Sequence, residues 1–340
     1  MNSTLLQFTE DTHFCYKNVT NSCKKIVRSN SSYVAIYFAF CLGMLVTVLG
    51  NLLVIVSVAH FKVLHSPTNF LVLSLAITDF LIGFVIMPFS IVRSVETCWY
   101  FGDDFCRLHT CLDSSLCLVS IFHLCFIAVD RYNAVCKPLL YTSRNKVSVV
   151  LIYIGTGWTV SLSYTIPWLY SNLLEETIKT VKTESYCLGS CQLVYIKIWG
   201  WINLPLFLIP CFLMIALYLK IYCVAQRQVR IIDNARHAHI SVPLKKASKR
   251  EKKATKTLGI TIGVYFLCWF PFLINTMIDP LINFSIPPLL SEILFWIAYF
   301  NSACNPFIYG FFFPWFRKSL KIIITFRIFC SESSSINLYQ

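Results

Sequence analysis

Three carboxylates stand inside long apolar stretches of this chain: Asp79, Asp113 and Asp130. A charge in hydrocarbon costs roughly 2.5–3.5 kcal/mol on insertion scales, so an acid placed there is a candidate functional group. Asp113 lies about two helical turns inside its stretch, and no Lys or Arg is expected at its depth; Arg107 is nearly two turns away. A buried carboxylate without a counter-charge either takes up a proton or binds a cation brought from outside. A ligand ammonium is the favoured reading, over a carboxylate hydrogen-bonded only to Tyr or Ser of the same bundle. Cys117 shares its face one turn on. Trp269, Phe272, Trp296 and Tyr299 fall at similar depth in the last two stretches and can wall a cation. An ammonium over an aromatic face gains about 0.5–2 kcal/mol. Tyr299 can also donate its hydroxyl to Asp113 and orient it.

Asp79 falls at mid-depth, where Asn51, Ser120, Asn301, Ser302 and Asn305 supply further polar groups. These residue types fit a hydrated hydrogen-bond network and equally a site for a small cation such as sodium, which prefers oxygen ligands. Asp130-Arg131-Tyr132 ends the third stretch. Arg131 can pair with Asp130 beside it or reach Glu251 before the sixth stretch, and an ion pair between two helix ends is a bistable latch. An ordinary interfacial anchor is the bland alternative.

These groups need a membrane bundle to position them. The 340 residues are 56% hydrophobic and only 13% charged, against about a quarter charged in soluble domains. A spanning helix takes roughly 20 apolar residues. Seven such stretches are legible, near 33–60, 69–93, 105–135, 147–169, 195–224, 258–278 and 290–312. The expected fold is an all-α membrane protein, a seven-transmembrane helix bundle with a short amphipathic helix after helix seven. The expected organisation is a polar segment over 1–32, the bundle over 33–312, and the amphipathic helix with an inner tail over 313–340. Pro210, Pro271 and Pro306 interrupt helices five, six and seven, and proline kinks a spanning helix and frees a carbonyl.

Of the 29 Lys and Arg, twenty fall on one side of the bundle, eleven of them between Lys220 and Lys256. The positive-inside rule therefore places the N-terminus outside a cell membrane and the C-terminus inside. The net charge of +13 reads as a basic face near anionic lipid, not as a nucleic-acid surface. No charged-then-apolar leader is visible, so helix one is expected to act as the insertion signal. Asn2, Asn18 and Asn30 begin glycosylation acceptor patterns on the outer segment. Six of the sixteen cysteines (Cys15, Cys23, Cys98, Cys106, Cys187 and Cys191) fall on the outer side, where disulfides form. Cys106 is within reach of the loop that carries Cys187 and Cys191. Cys330 is a candidate for palmitoylation or a free inner thiol. His109 and His123 read as packing or loop-facing residues.

Taken together, the chain resembles the rhodopsin-like (class A) G-protein-coupled receptors. The resemblance is carried by Gly50-Asn51, Leu75-Ala76 with Asp79, Cys106, Asp130-Arg131-Tyr132, Trp158, Pro210 with Tyr218, Cys268-Trp269-Phe270-Pro271 and Asn305-Pro306-Phe307-Ile308-Tyr309. Asp113 precedes Arg131 by 18 residues, the spacing of the amine-anchoring acid in aminergic receptors. The run from Asn301 to Phe316 (NSACNPFIYGFFFPWF) and the stretches 64–70, 98–102 and 256–259 resemble the trace amine-associated receptors. The resemblance spans roughly 33–325. It implies a receptor for small protonated amines that raises cAMP through a stimulatory or olfactory G protein, with a role in smell. A biogenic amine receptor of the serotonin type is the alternative. The resemblance further implies Asp113 as anchor, Tyr299 in support, and Cys117, Trp269, Phe272 and Thr276 as lining. Arg131, Asp130, Tyr218, Glu251 and Tyr309 would serve the G-protein end. Asp79, Ser120 and Asn301 would form the sodium-linked network, the one cofactor expected. Cys106 would pair with Cys191, and Cys187 with Cys23 or Cys15.

Some positions depart from that pattern. Helix five has Ile202, Asn203 and Leu206 in place of a serine cluster, and no second acid for a diamine. Tyr265 stands where aminergic receptors carry Phe. Rival classes fare worse. Helix seven has no lysine for a Schiff base, three acids do not make an ion path, and neither a His-Glu-x-x-His nor a Gly-x-Ser-x-Gly run is present, so no enzyme is expected.

Overall fold

The computed structural model describes residues 13–137, 141, 147–175, 187–191, 197–234, 242–282, 285–330 and 332–338. The side chains of 168–175, 197–204, 228–229, 231–234, 242–256, 258, 280 and 288 lie outside that description. Seven long helices appear among the described residues: α1 (Asn30–His60), α2 (Pro67–Glu96), α3 (Asp103–Cys136), α4 (Val147–Glu175), α5 (Lys197–Asn234), α6 (Val242–Ile278) and α7 (Pro288–Phe312). A short α8 (Pro314–Ile324) follows.

Local chemistry sets the helix ends. Ser29 caps α1 by accepting from the Ser32 amide, and Ser66 caps α2 the same way from Asn69, with Pro67 at its first turn; both are favourable N-terminal choices. α2 closes on Thr97 in the left-handed region, and α3 follows Gly102 at φ 80° with Asp103 and Asp104 in its first turn, where the helix dipole favours acids.

The outer surface is that of a protein in lipid. On α1, Val34, Phe38, Leu42, Leu45 and Leu49 are 49–69% exposed, an apolar stripe at helical spacing that water would not tolerate on this scale. Among the described residues, six helices are long and apolar enough to cross a membrane. α7 is less apolar because Asn301, Ser302 and Asn305 interrupt it, and all three are buried against the bundle. α5 and α6 run well past the apolar stretches read from the sequence. Hydropathy marks the lipid-facing part of a helix, not the polar turns that continue beyond it.

The interior divides into clusters. One lies between α3, α5 and α6 around Ile121, Leu124, Met214 and Tyr265. Another joins α1, α2, α7 and α8 through Val54, Val72, Tyr309 and Trp315. A third joins α1, α2, α3 and α7 through Ile86, Leu116, Trp296 and Tyr299. Gly50 is required for the α1–α7 approach, since a Cβ there would lie 2.8 Å from Pro306. Both helix-three histidines belong to this interior, His109 at 2% and His123 at 0% exposure, so the loop-facing alternative does not hold.

One end of the bundle is stapled by three disulfides. Cys106 pairs with Cys191, Cys23 with Cys187, and Cys15 with Cys98. The Cys15–Cys98 bridge is an addition to the pairings considered from the sequence. Residues 187–191 run between the N-terminal segment and the α2–α3 turn: Cys23 N donates to Leu188 O at 2.9 Å and Trp99 N to Gly189 O at 2.8 Å. Gly189, at φ 97°, sits where a Cβ would come within 2.7 Å of Cys15, so only glycine fits.

Candidate functional site

Asp113 projects from α3 into the bundle and is 8% exposed. Its Oδ2 accepts from the Tyr299 hydroxyl at 2.8 Å, and its Oδ1 lies 3.6 Å from the Cys117 thiol. A buried carboxylate held by a hydroxyl keeps its acceptor capacity for a further donor. Ser90 lies 3.3 Å from Tyr299 Oη and 3.4 Å from His109 Nε2, and His109 reaches Ile86 O at 3.1 Å. α2, α3 and α7 thus meet around one acid.

Aromatic rings continue the wall. Tyr299 packs on Phe295 at 4.5 Å, Phe295 on Phe272 at 5.4 Å, and Phe272 on Trp269 at 6.2 Å. Trp269 meets Tyr265 at 6.1 Å and Phe207 at 6.2 Å, joining the site to the α3–α5–α6 core. Thr276 lies one turn beyond Phe272, with its hydroxyl donating to Leu273 O at 2.9 Å. Trp296 turns the other way: it stacks on Phe40 of α1 at 3.9 Å and donates to Ser94 Oγ at 3.0 Å. It supports Tyr299 from behind instead of walling a cation.

One expectation needs correction. Arg93, on α2, lies over the Phe295 ring at 5.0 Å, and its field reaches Asp113. Asp113 is therefore not isolated from fixed cations, although it forms no ion pair among the described residues. The physical reason is a π-helical segment at Ile82–Ile86. One extra residue in a turn rotates everything beyond it by about 100°, which resets the faces of Ser90 and Arg93 relative to a straight helix.

Deeper in the bundle, Asp79 is fully buried. Ser302 Oγ and Asn305 Nδ2 each donate to it at 2.7 Å. Asn51 Nδ2 reaches Thr47 O at 2.9 Å and Ser302 O at 3.1 Å. Asn51 Oδ1 and Ser120 Oγ are buried without a hydrogen-bond partner. Asn301 is also buried, at 2% exposure. Buried oxygens without a donor, together with a buried carboxylate, suit a small hard cation or water.

At the opposite end from the disulfides, Asp130 and Arg131 form a closed cluster. Arg131 Nη2 lies 2.5 Å from Asp130 Oδ2. Thr68 donates to Asp130 at 2.8 Å and Tyr141 at 3.1 Å, and Arg131 also donates to both hydroxyls. Thr68 and Tyr141 were not assigned a role from the sequence; Thr68 carried a signal only as part of the polar start of α2 within the stretch 64–70, and Tyr141 carried none. Burial holds the Tyr141 hydroxyl above its ordinary pKa, so it stays a neutral donor. The Glu251 side chain falls outside the described residues. Tyr218 lies flat on α6 at Gly259, where a Cβ would come within 2.5 Å of its ring. Tyr309 is buried with Phe313 at 5.8 Å in the α1–α2–α7–α8 cluster. Tyr218 and Tyr309 therefore belong to separate clusters, and neither hydrogen-bonds Arg131 among the described residues.

The expected glycosylation positions Asn18 and Asn30 are exposed, and Asn2 lies outside the described residues. Cys330 is exposed.

Residues 50–309 match the family model described as 7 transmembrane receptor (rhodopsin family). Over 331 residues the chain is 51% identical to trace amine-associated receptor 5 of Mus musculus, covering 97% of this chain and 96% of that protein. It is 44% identical to trace amine-associated receptor 4 of Rattus norvegicus, covering 100% and 99%. It is 45% identical to trace amine-associated receptor 13c of Danio rerio, covering 97% of each.

Proposed function

We infer the function of this chain from the family to which it belongs, the trace amine-associated receptors within the rhodopsin family of seven-transmembrane G-protein-coupled receptors, and from the chemistry around Asp113. The chain is a multi-pass membrane receptor and not an enzyme. Our reading is that it binds small protonated amines and raises cAMP through a stimulatory or olfactory G protein, with a role in smell. The N-terminus and the disulfide end face outward. The single observation that carries the ligand class is the buried Asp113 carboxylate, oriented by Tyr299 at 2.8 Å and free of any ion-pair partner among the described residues.

Alkyl amines are cations at neutral pH, as lysine is. On this reading the ammonium pairs with Asp113, beside Cys117, against the rings of Phe272 and Trp269. Thr276 lines the pocket one turn above Phe272. A ligand that fits one packing of Trp269, Tyr265 and Phe207 better than the other shifts the population toward it. A hundredfold preference corresponds to about 2.7 kcal/mol. The consequence at the far end is release of Arg131 from Asp130, Thr68 and Tyr141 and a movement of α6 past Tyr218, which opens the G-protein surface. Glu251 and Tyr309 are assigned to that end by position. Asp79, Ser120 and Asn301, with Asn51, would hold a sodium ion, whose charge would neutralise Asp79 and favour the resting packing. A sodium-dependent shift in ligand affinity that Asp79→Asn removes is the expected sign of it.

The decisive experiment measures cAMP in cells expressing the chain, across primary, tertiary and aromatic amines, beside Asp113→Asn. An amine response that the variant loses supports class, ligand and anchor together. An Asp113→Asn receptor with full response would remove the anchor.

A further inference from the structure

Arg93 stands one turn beyond Ser90 on α2, toward the disulfide end, about 4.5 Å further along the helix. Its guanidinium caps Phe295, and Phe295 in turn packs on Tyr299 and Phe272. The same aromatic wall that leads down to Asp113 therefore carries a fixed cation at its upper edge. That cation has no ion-pair partner among the described residues, and its Nε is buried without a hydrogen-bond partner. Glu292, one turn before Phe295 on α7, accepts from Ser94 at 2.5 Å. The field of Arg93 reaches Asp113, Tyr299 and His109.

We propose that Arg93 is the second pole of this pocket: it selects amines that carry a single cation and, at the end remote from the ammonium, a carboxylate or other hydrogen-bond acceptor. The inference rests on the amine reading of Asp113 and narrows it. A guanidinium presents five donors in a planar fork that matches a carboxylate. Held over an aromatic face with a donor unmet, it gains more from an incoming acceptor than a hydrated surface arginine does. The same charge repels a second ammonium. At roughly 8 Å and an effective dielectric of about 20, that repulsion corresponds to more than tenfold in affinity. An aspartate and an arginine at opposite ends of one aromatic wall thus make a site polarised for a zwitterion.

The test uses the full-length receptor in cells, with surface expression measured through an epitope tag and G-protein activation read directly. The probes are hexylamine, 6-aminohexanoic acid and 1,6-diaminohexane, each also as the N,N-dimethyl form. The wild type should rank the diamine last. Arg93→Gln should lower the potency of the amino acid relative to the monoamine by about tenfold, and raise that of the diamine relative to the monoamine by about tenfold. Arg93→Lys, which keeps the charge, should preserve the wild-type ranking. If Arg93→Gln leaves both ratios within about threefold, or moves all three probes equally, the arginine is a packing residue and the proposal is overturned while the amine reading stands. If no probe activates the surface-expressed wild type, and Asp113→Asn changes nothing, the amine reading fails and the proposal with it.

Discussion

Tyr299→Phe removes one oxygen and keeps the ring, so it breaks the bond to Asp113, while the longer contact to Ser90 at 3.3 Å is lost alike in both Asp113 backgrounds. The ring contacts to Phe295 at 4.5 Å and Trp296 at 5.5 Å remain. The lost bond is short, 2.8 Å, and fully buried. Hydrogen bonds to a charged group contribute about 1.5–3 kcal/mol. Part of that is already present before a ligand arrives, so about half of it, near 1.4 kcal/mol or tenfold in amine affinity, is the expected loss. Asp113→Asn removes the ion pair itself, about 4 kcal/mol for charges 4 Å apart at an effective dielectric of 20, close to a thousandfold. In that background the Tyr299 hydroxyl meets a neutral amide oxygen, worth only about 0.5–1.5 kcal/mol, so Tyr299→Phe should have little further effect. The assay is amine competition binding on membranes of the four receptors in the cycle, normalised to surface expression. Equal losses from Tyr299→Phe in both backgrounds would refute the reasoning and make Tyr299 a packing residue.

Other perturbations reach the remaining elements. Gly259→Ala sets a methyl 2.5 Å from the Tyr218 ring; overpacking of this kind costs about 1–3 kcal/mol, and a lower melting temperature together with altered basal signalling is expected in a thermal-shift and G-protein assay. Thr68→Ala removes a 2.8 Å bond to Asp130 and a partner of Arg131; at about 1–2 kcal/mol it should raise basal G-protein activation several-fold at unchanged surface expression. Replacing Cys15 and Cys98 together by Ser opens a bridge that spans 83 residues; about 2–4 kcal/mol of stabilisation should go with it, read as a lower inactivation temperature of ligand binding.

Much of this architecture was legible because membrane insertion makes some residues conspicuous wherever they point. An aspartate in hydrocarbon is costly on any face of its helix, so Asp79 and Asp113 could be singled out without knowing their rotation. Asp130 and Arg131 were equally visible from adjacency. The polar continuations of α5 and α6 were not, because nothing in hydropathy separates a solvated helix from a loop. The Cys15–Cys98 bridge was partly legible: with Cys106 paired to Cys191 and Cys187 to one N-terminal cysteine, two outer cysteines remain, and they pair here. Thr68 and Tyr141 come to Asp130 from a neighbouring helix and from beyond the end of α3, a meeting that no local spacing encodes.

Arg93 shows where such reading fails, and the reason is physical. A lysine or arginine within two turns of a helix end can extend its head group to the interface from almost any face, so its presence says little about what it touches. The aspartate has no such freedom, which is why the anion of the pocket was found and the cation was not. What decides the matter is rotation. The π-helical turn at Ile82–Ile86, just before Pro88, displaces the following residues by about 100° around the helix axis. Proline at a turn's edge is a visible signal for a break in regular hydrogen bonding, yet it leaves open whether the helix kinks, tightens or takes in an extra residue. Only the last of these resets the faces of Ser90 and Arg93 by a quarter turn or more, and Ser90 then meets Tyr299 at 3.3 Å. The selectivity of the site therefore depends on the backbone of α2 as well as on the acid of α3.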